Sequence, residues 1–263
     1  MSNWQDFEFD CTDYLNDTFG NYATFYHEGG ADSTVPDIRV KTNTNRTFYI
    51  DAKHCPAQCG QFVLLPDIST RTFKYSTLNV NRINDYAIEI IKFMNEDFDE
   101  FREAGTAGKD INMQNCPKVF ADWIIQVYKE KGASLFITND FRIISIDDFS
   151  KYFNVSAKYR IKRSGSGSVG KSRLSVISTY IKDHYCNISS VVADGDKLFV
   201  TSSLDLHNER FIYGDYEYMI SDRGSSYEVR KLSNTYNANV IFSIDLKGDR
   251  AGMSNDEFIA FLK

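Results

Sequence analysis

The chain has 263 residues, enough to bury an ample core in one large domain or in a catalytic core with an appendage, and its 42% hydrophobic, 14% aromatic and 25% charged content is that of a folded globular protein. A formal net charge of -6 argues against indiscriminate coating of nucleic acid and leaves room for local basic patches. Cys11, Cys55, Cys59, Cys116 and Cys186 are odd in number, and no signal peptide or bilayer-length apolar run accompanies them, which points to reduced thiols in the cytoplasm and implies no membrane.

From the N-terminus, Trp4, Phe7, Cys11, Tyr14, Leu15 and Phe19 recur every three to four residues, which predicts a helix over 3–18 ending at Gly20 and carrying Glu8. Residues 22–27 read as a first strand, followed by a turn at Gly29-Gly30. Val35-Pro36-Asp37-Ile38-Arg39-Val40 and Phe48-Tyr49-Ile50-Asp51-Ala52-Lys53 then form the two arms of a predicted β-hairpin joined by 41–46. Asp37 opens the first arm. Asp51 and Lys53 lie two apart near the end of the second and so share a face. Charges of both signs in an apolar setting are costly unless they pair or hold a metal.

Two carboxylates can hold a hard divalent ion that polarises a phosphodiester and acidifies a bound water, while an ammonium positions that water or offsets developing charge. Pro36-Asp37, thirteen residues, then Asp51-Ala52-Lys53 resembles the PD-(D/E)xK nuclease superfamily, which includes type II restriction endonucleases and Holliday-junction resolvases. The Gly-rich approach Glu28-Gly29-Gly30-Ala31-Asp32-Ser33-Thr34-Val35 and the following Gln58 and Gln61 are similar to that family too. The resemblance implies that Asp37 and Asp51 bind Mg2+, with Mn2+ able to substitute, and that Lys53 assists the attacking water. It also implies a further ligand from the first helix, where Glu8 is the best positional match and Glu28 the second.

After Lys53, 56–65 is read as a helix bringing Gln58 and Gln61 beside the site. His54, Cys55 and Cys59 match no zinc-ligand spacing and read as packing residues. An amphipathic helix is predicted over 81–103, a second over 117–131 and a buried strand over 133–138, followed by a short helix over 146–153 capped by Ser145 or Asp147. Helix, strands, helices, strand is the order of a mixed α/β core, the restriction-endonuclease-like architecture of a central sheet flanked by helices.

From Lys151 to Arg173 every charge is positive: Lys151, Lys158, Arg160, Lys162, Arg163, Lys171 and Arg173. Ser164, Ser166 and their glycines form a loop of phosphate-binding composition among them. Gly165-x4-Gly170-Lys171-Ser172 also satisfies the P-loop formula. However, the preceding Lys158–Arg163 alternates charged and apolar residues, unlike a strand buried on both faces, and few residues remain for an NTPase core. The segment 151–173, with Gln58 and Gln61, is therefore assigned to DNA contact. Beyond it the chain is β-rich, with runs over 197–202, 210–213, 216–220, 226–232 and 240–246 and a last helix capped by Ser254.

The sequence reading is thus a nuclease core over 1–186 and a β-rich part over 187–263 that grips or reads DNA or serves dimerisation. The expected activity is a magnesium-dependent, sequence-specific type II endonuclease acting on double-stranded DNA, with a homodimer implied by the two-fold symmetry of a palindromic site. A structure-selective nuclease is the alternative within enzymes. A P-loop NTP-binding protein or a catalytically silent DNA-binding module is the alternative outside the nucleases.

Overall fold

The computed structural model describes residues 4–29, 35–163, 165–233 and 235–263. Two compact units divide it, the first formed by Met1–Arg160 with Ala238–Lys263 and the second by Ile161–Asn237. The contact-dense units thus part at 160/161 and 237/238 rather than near residue 187, because the last long strand returns to the first unit.

In the first unit, α1 (Trp4–Phe19) packs on a sheet built from β1 (Ala23–His27), β2 (Ile38–Thr42) and β3 (Thr47–Lys53). Cys11, Leu15 and Phe19 are buried at helical spacing with Phe25, Ile38, Val40 and Ile50 of the strands. Asn16 fixes the edge strand to the helix: its Oδ1 accepts from Phe25 N at 3.1 Å and its Nδ2 donates to Phe25 O at 2.9 Å. The expected hairpin is present, with Ile38 opposite Ile50.

A second sheet in this unit has the order β5-β4-β16-β9-β6, from β4 (Ala57–Asp67), β5 (Thr72–Tyr75), β6 (Lys109–Asp110), β9 (Phe153–Arg163) and β16 (Tyr236–Leu246). The helix expected over 56–65 is therefore a strand. Its partner β16 lies far along the chain, and Gly60, at φ +94°, leaves room for the Trp123 ring, 2.8 Å from where a Cβ would stand. That ring and the register shift on β16 break the alternation that would mark a strand locally. The helix expected over 81–103 is two, α2 (Asp85–Glu96) and α3 (Phe98–Arg102), parted at Asp97 so that Phe98 and Phe101 can bury beside Phe73 and Tyr159.

Between the two sheets runs α4 (Cys116–Glu130). Its Trp123 stacks on Phe242 of β16 at 4.3 Å between ring centroids, and its Tyr128 meets Phe136 of β7 (Ala133–Thr138) at 5.1 Å. β7 runs parallel to β3 and antiparallel to β8 (Arg142–Ser145), which completes the first sheet. A 3-10 turn over Ile146–Asp148, capped by Ser145, whose Oγ accepts from Asp147 N, leads into the short α5 (Phe149–Tyr152). Trp123 is fully buried, so Trp123→Ala is expected to cost about 3–5 kcal/mol, read as a lower urea midpoint.

The second unit holds a hairpin-rich sheet ordered β11-β12-β15-β14-β13 with β10 on β15, covered by α6 (Leu174–His184). Its strands are β10 (Ser166–Gly167), β11 (Ile188–Asp194), β12 (Lys197–Ser202), β13 (Arg210–Tyr213), β14 (Tyr216–Asp222) and β15 (Tyr227–Leu232). α7 (Asn255–Leu262), capped by Ser254 as expected, closes the first unit by packing Phe258 and Leu262 on the α1 core. Among the described residues no helix is long and apolar enough to cross a membrane.

Candidate active site

The hairpin delivers its charged residues to one place. One step beyond the Ile38–Ile50 pair, Asp37 comes opposite Asp51, and Asp37 Oδ2 accepts from Ala52 N at 2.9 Å. Lys53 Nζ pairs with Asp51 Oδ2 and stands 3.5 Å from Asp37 Oδ2. Although this ion pair is tight, it is out of line for a hydrogen bond, and Asp51 Oδ2 is left buried with no well-directed donor. Burial pushes the Asp51 carboxyl up to about 7, against the pull of Lys53 and with the help of Asp37. Burial opposes the charge of Lys53, yet the carboxylates of Asp51 and Asp37 hold its ammonium well above the ordinary lysine range.

Glu8 lies on the buried stripe of α1, one turn before Cys11 and Thr12, and its side chain is 8% exposed. It shares a cavity of about 410 Å³ with Asp37, Asp51, Lys53, Gln58 and Gln61. Burial raises its carboxyl, the charge of Asp37 adds to this, and His27 Nε2, 3.2 Å from Glu8 Oε2, opposes it. Glu28 instead pairs with Arg39 on an exposed surface. Gly29 is required beside Glu8: a Cβ there would stand 2.3 Å from Glu8 Oε2 and 2.9 Å from His27 Nε2. Because both are side-chain ends, Gly29→Ala is expected to leave the fold nearly as stable while displacing the carboxylate. If Glu8 serves the chemistry, single-turnover DNA cleavage should drop roughly tenfold, about 1.4 kcal/mol of barrier.

The donor set suits a hard divalent cation. All the groups are carboxylate oxygens, one of them buried and without a directed donor, which matches magnesium or manganese rather than a thiolate- or imidazole-seeking metal. Among the described residues no three carboxylate, imidazole or thiol groups already converge as ligands.

Gln58 and Gln61 reach the cavity from β4 rather than from a helix, Gln58 Nε2 donating to Gln61 Oε1 at 3.3 Å and Asn239 Nδ2 donating to the same oxygen at 3.3 Å. The basic segment is divided between the units. In the first, exposed Lys158 lies 3.6 Å from Asp110 and lines a groove with Arg160, Gln58, Ser156 and Ser243. In the second, Lys162 and Lys171 are exposed, and Arg173 donates to Tyr218 Oη at 3.3 Å with its guanidinium 4.0 Å above the Tyr216 ring. Ser164 and the Arg163 side chain lie outside the described residues, as do 30–34 of the Gly-rich approach.

The P-loop formula does not fold as a phosphate cradle. Ser166 and Gly167 pair as a strand with Leu232 and Lys231, Gly170 N donates to Asp196 O at 3.0 Å, and Ser168 Oγ donates to the Asp196 carboxylate. An aspartate held against the loop would repel a nucleotide phosphate.

No family model and no curated protein matches the chain. Among solved structures it is similar to HhaI endonuclease in complex with DNA, at 40% sequence identity and a TM-score of 0.75, covering 99% of this chain and 98% of that one. The chain belongs to the HhaI endonuclease family. The likeness runs through both units, so the fold is restriction-endonuclease-like over its length. Besides the residues singled out by sequence, the family member's cavity is lined by Trp123, Tyr128 and Lys131 of the α4 end and by Asn79 and Asn81. Nothing local in the sequence marks these as site residues: a tryptophan and a tyrosine at helical spacing read as core, and a lysine at a helix end reads as a cap.

Proposed function

We propose that the protein is a metal-dependent DNA endonuclease of the type II restriction kind with a PD-(D/E)xK site, in which Asp37 and Asp51 hold magnesium, Glu8 completes the acidic wall and Lys53 serves the attacking water. The observation that carries this is the buried Asp51 carboxylate with one undirected oxygen, facing Asp37 and Lys53 in a cavity of about 410 Å³, in a member of an endonuclease family. When bound, the cation would polarise the phosphate and acidify a water. The reaction joins the water oxygen to phosphorus and breaks one P–O ester bond, leaving a phosphate monoester and an alcohol. The water loses a proton to solvent, and the leaving oxygen gains one from solvent, while the Lys53 ammonium only positions the water by donating to it. Lys53 is suited to positioning the water because its ammonium is fixed between two carboxylates rather than swinging in solvent. The known binding of DNA by HhaI endonuclease supports DNA as the substrate class here.

Incubation of phage DNA with the protein and magnesium tests the reading: discrete bands are expected, a smear would mean cutting without sequence preference, and intact DNA would overturn it. For the basic segment, Lys158→Ala, Arg160→Ala and Lys162→Ala should each weaken duplex binding in calcium. Each should also lower the slope of log affinity against log salt by about 1, as expected for one lost phosphate contact. An unchanged salt slope in all three would remove these cations from the DNA surface.

A further inference from the structure

We propose that His27 is a positioning residue of this site, its imidazole holding the Glu8 carboxylate aimed into the cavity beside Asp37 and Asp51. The inference rests on the nuclease reading above and adds to it a residue outside the hairpin signature. His27 Nε2 stands 3.2 Å from Glu8 Oε2, and Glu8 in turn lines the cavity with Asp37, Asp51 and Lys53. A carboxylate only accepts, so an ionised Glu8 requires the imidazole to be an Nε2–H donor. The place of the histidine is set by the backbone. It is the last residue of β1, opposite Ile38 of β2, and the next two amides, Glu28 N and Gly29 N, both donate to Asp37 O, at 2.8 and 2.9 Å. The strand end that carries His27 is therefore tied to the residue that carries the first carboxylate.

The ring is oriented by more than that bond. Phe9, the neighbour of Glu8 on α1, lies 4.1 Å from it between ring centroids, and Gly29 leaves its Nε2 edge clear, since a Cβ there would stand 2.9 Å from that nitrogen. Glu8 reaches the cavity from a helix, whereas Asp37, Asp51 and Lys53 reach it from a hairpin, so its register with them depends on how α1 lies on the sheet. The Asn16 bonds fix α1 to Phe25, and His27, two residues further along the same face of β1, carries that fixing to the carboxylate itself. The negative charge of Asp37 repels a second carboxylate in the same cavity, and a flexible glutamate side chain without a donor would turn away from it. A histidine present for packing alone needs its ring and not its nitrogen.

The test uses the full chain, magnesium and a duplex oligonucleotide spanning one cut mapped on phage DNA. His27→Phe keeps a ring and loses the donor, and should slow single-turnover cleavage by roughly 10–100-fold, the loss typical of removing a partner that orients a metal-binding group, with duplex affinity in calcium little changed. His27→Gln loses the ring and keeps an N–H donor at the same reach, and should recover most of the rate. Without DNA, at pH 8, the Tm increase on adding magnesium should shrink alike in His27→Phe and Glu8→Gln and be retained in His27→Gln. His27→Phe combined with Glu8→Gln should cut no more slowly than Glu8→Gln alone, because the two changes remove one contact. A packing histidine would reverse the order, with His27→Phe active and His27→Gln impaired, and would give multiplying losses in the double variant. If His27→Phe loses its thermal transition, His27→Leu takes its place in the same measurements. The reversed order, multiplying losses, or an undiminished rate in folded His27→Phe or Glu8→Gln overturns the role of His27 while the nuclease reading stands. Wild-type protein that leaves the DNA intact overturns both.

Discussion

Asp51→Ala should reduce magnesium-supported DNA cleavage by at least about a thousandfold, because Lewis-acid stabilisation is worth several kcal/mol and each 1.4 kcal/mol is tenfold in rate. Duplex binding in the same variant should survive, since Asp51 is a buried acid and the basic residues proposed to meet DNA lie elsewhere. The side chain removed is the one with an undirected buried oxygen, whereas Asp37 also supports the hairpin by accepting from Ala52 N. Asp37→Ala should therefore lose stability as well as cleavage, and Asp51→Ala should lose cleavage with the smaller structural cost. Single-turnover rates beside duplex titrations in calcium separate these outcomes. Full activity in Asp51→Ala would remove the hairpin from the chemistry altogether.

The hairpin was legible because everything that defines it is local. Two alternating runs, a polar connection and the two-residue spacing of Asp51 and Lys53 bring three charged groups together whatever the rest of the chain does. Glu8 could be placed by helical spacing, but its burial depends on α1 lying against β1, a contact that periodicity does not give. Where the partner is distant, the reading failed. Gln58 and Gln61 sit on a strand only because β16, a hundred and seventy-eight residues from Gln61 at Asn239, comes back to pair with it, and Gly60 with its positive φ disguises the alternation. The same return of β16 explains why a boundary near residue 187 does not mark the compact units: β-rich composition looks continuous from 188 to 246, while the chain leaves the second unit at Asn237. Lys131 was invisible for a related reason, since only the parallel pairing of β7 with β3 carries the end of α4 to the acidic pair.

Magnesium should stabilise the protein more at pH 8 than at pH 6. In the metal-free fold the Asp51 carboxyl is raised from an ordinary value of 3.8 to about 7, chiefly by burial, so between those values the folded protein keeps a proton that the unfolded chain has released. This contribution favours folding at low pH and is lost as the pH rises through 7, where the buried carboxylate must ionise beside Asp37 with only Lys53 to offset it. A divalent cation bound by Asp51 and Asp37 takes the place of that proton. Above pH 7 it meets a ready anion, and below pH 7 it must first displace a proton, so apparent magnesium affinity should fall roughly tenfold per pH unit. The Tm increase on adding magnesium, measured without DNA, should accordingly be large at pH 8, small at pH 6 and absent at both in Asp51→Ala. Calcium should give a similar increase and support duplex binding without efficient cutting, because its looser, longer coordination does not hold water and phosphate in line, while a chelator should abolish cleavage. An equal Tm increase at the two pH values, or the same increase in Asp51→Ala, would mean that the cation binds elsewhere, and cleavage undiminished by chelation would show that the acidic pair works without one.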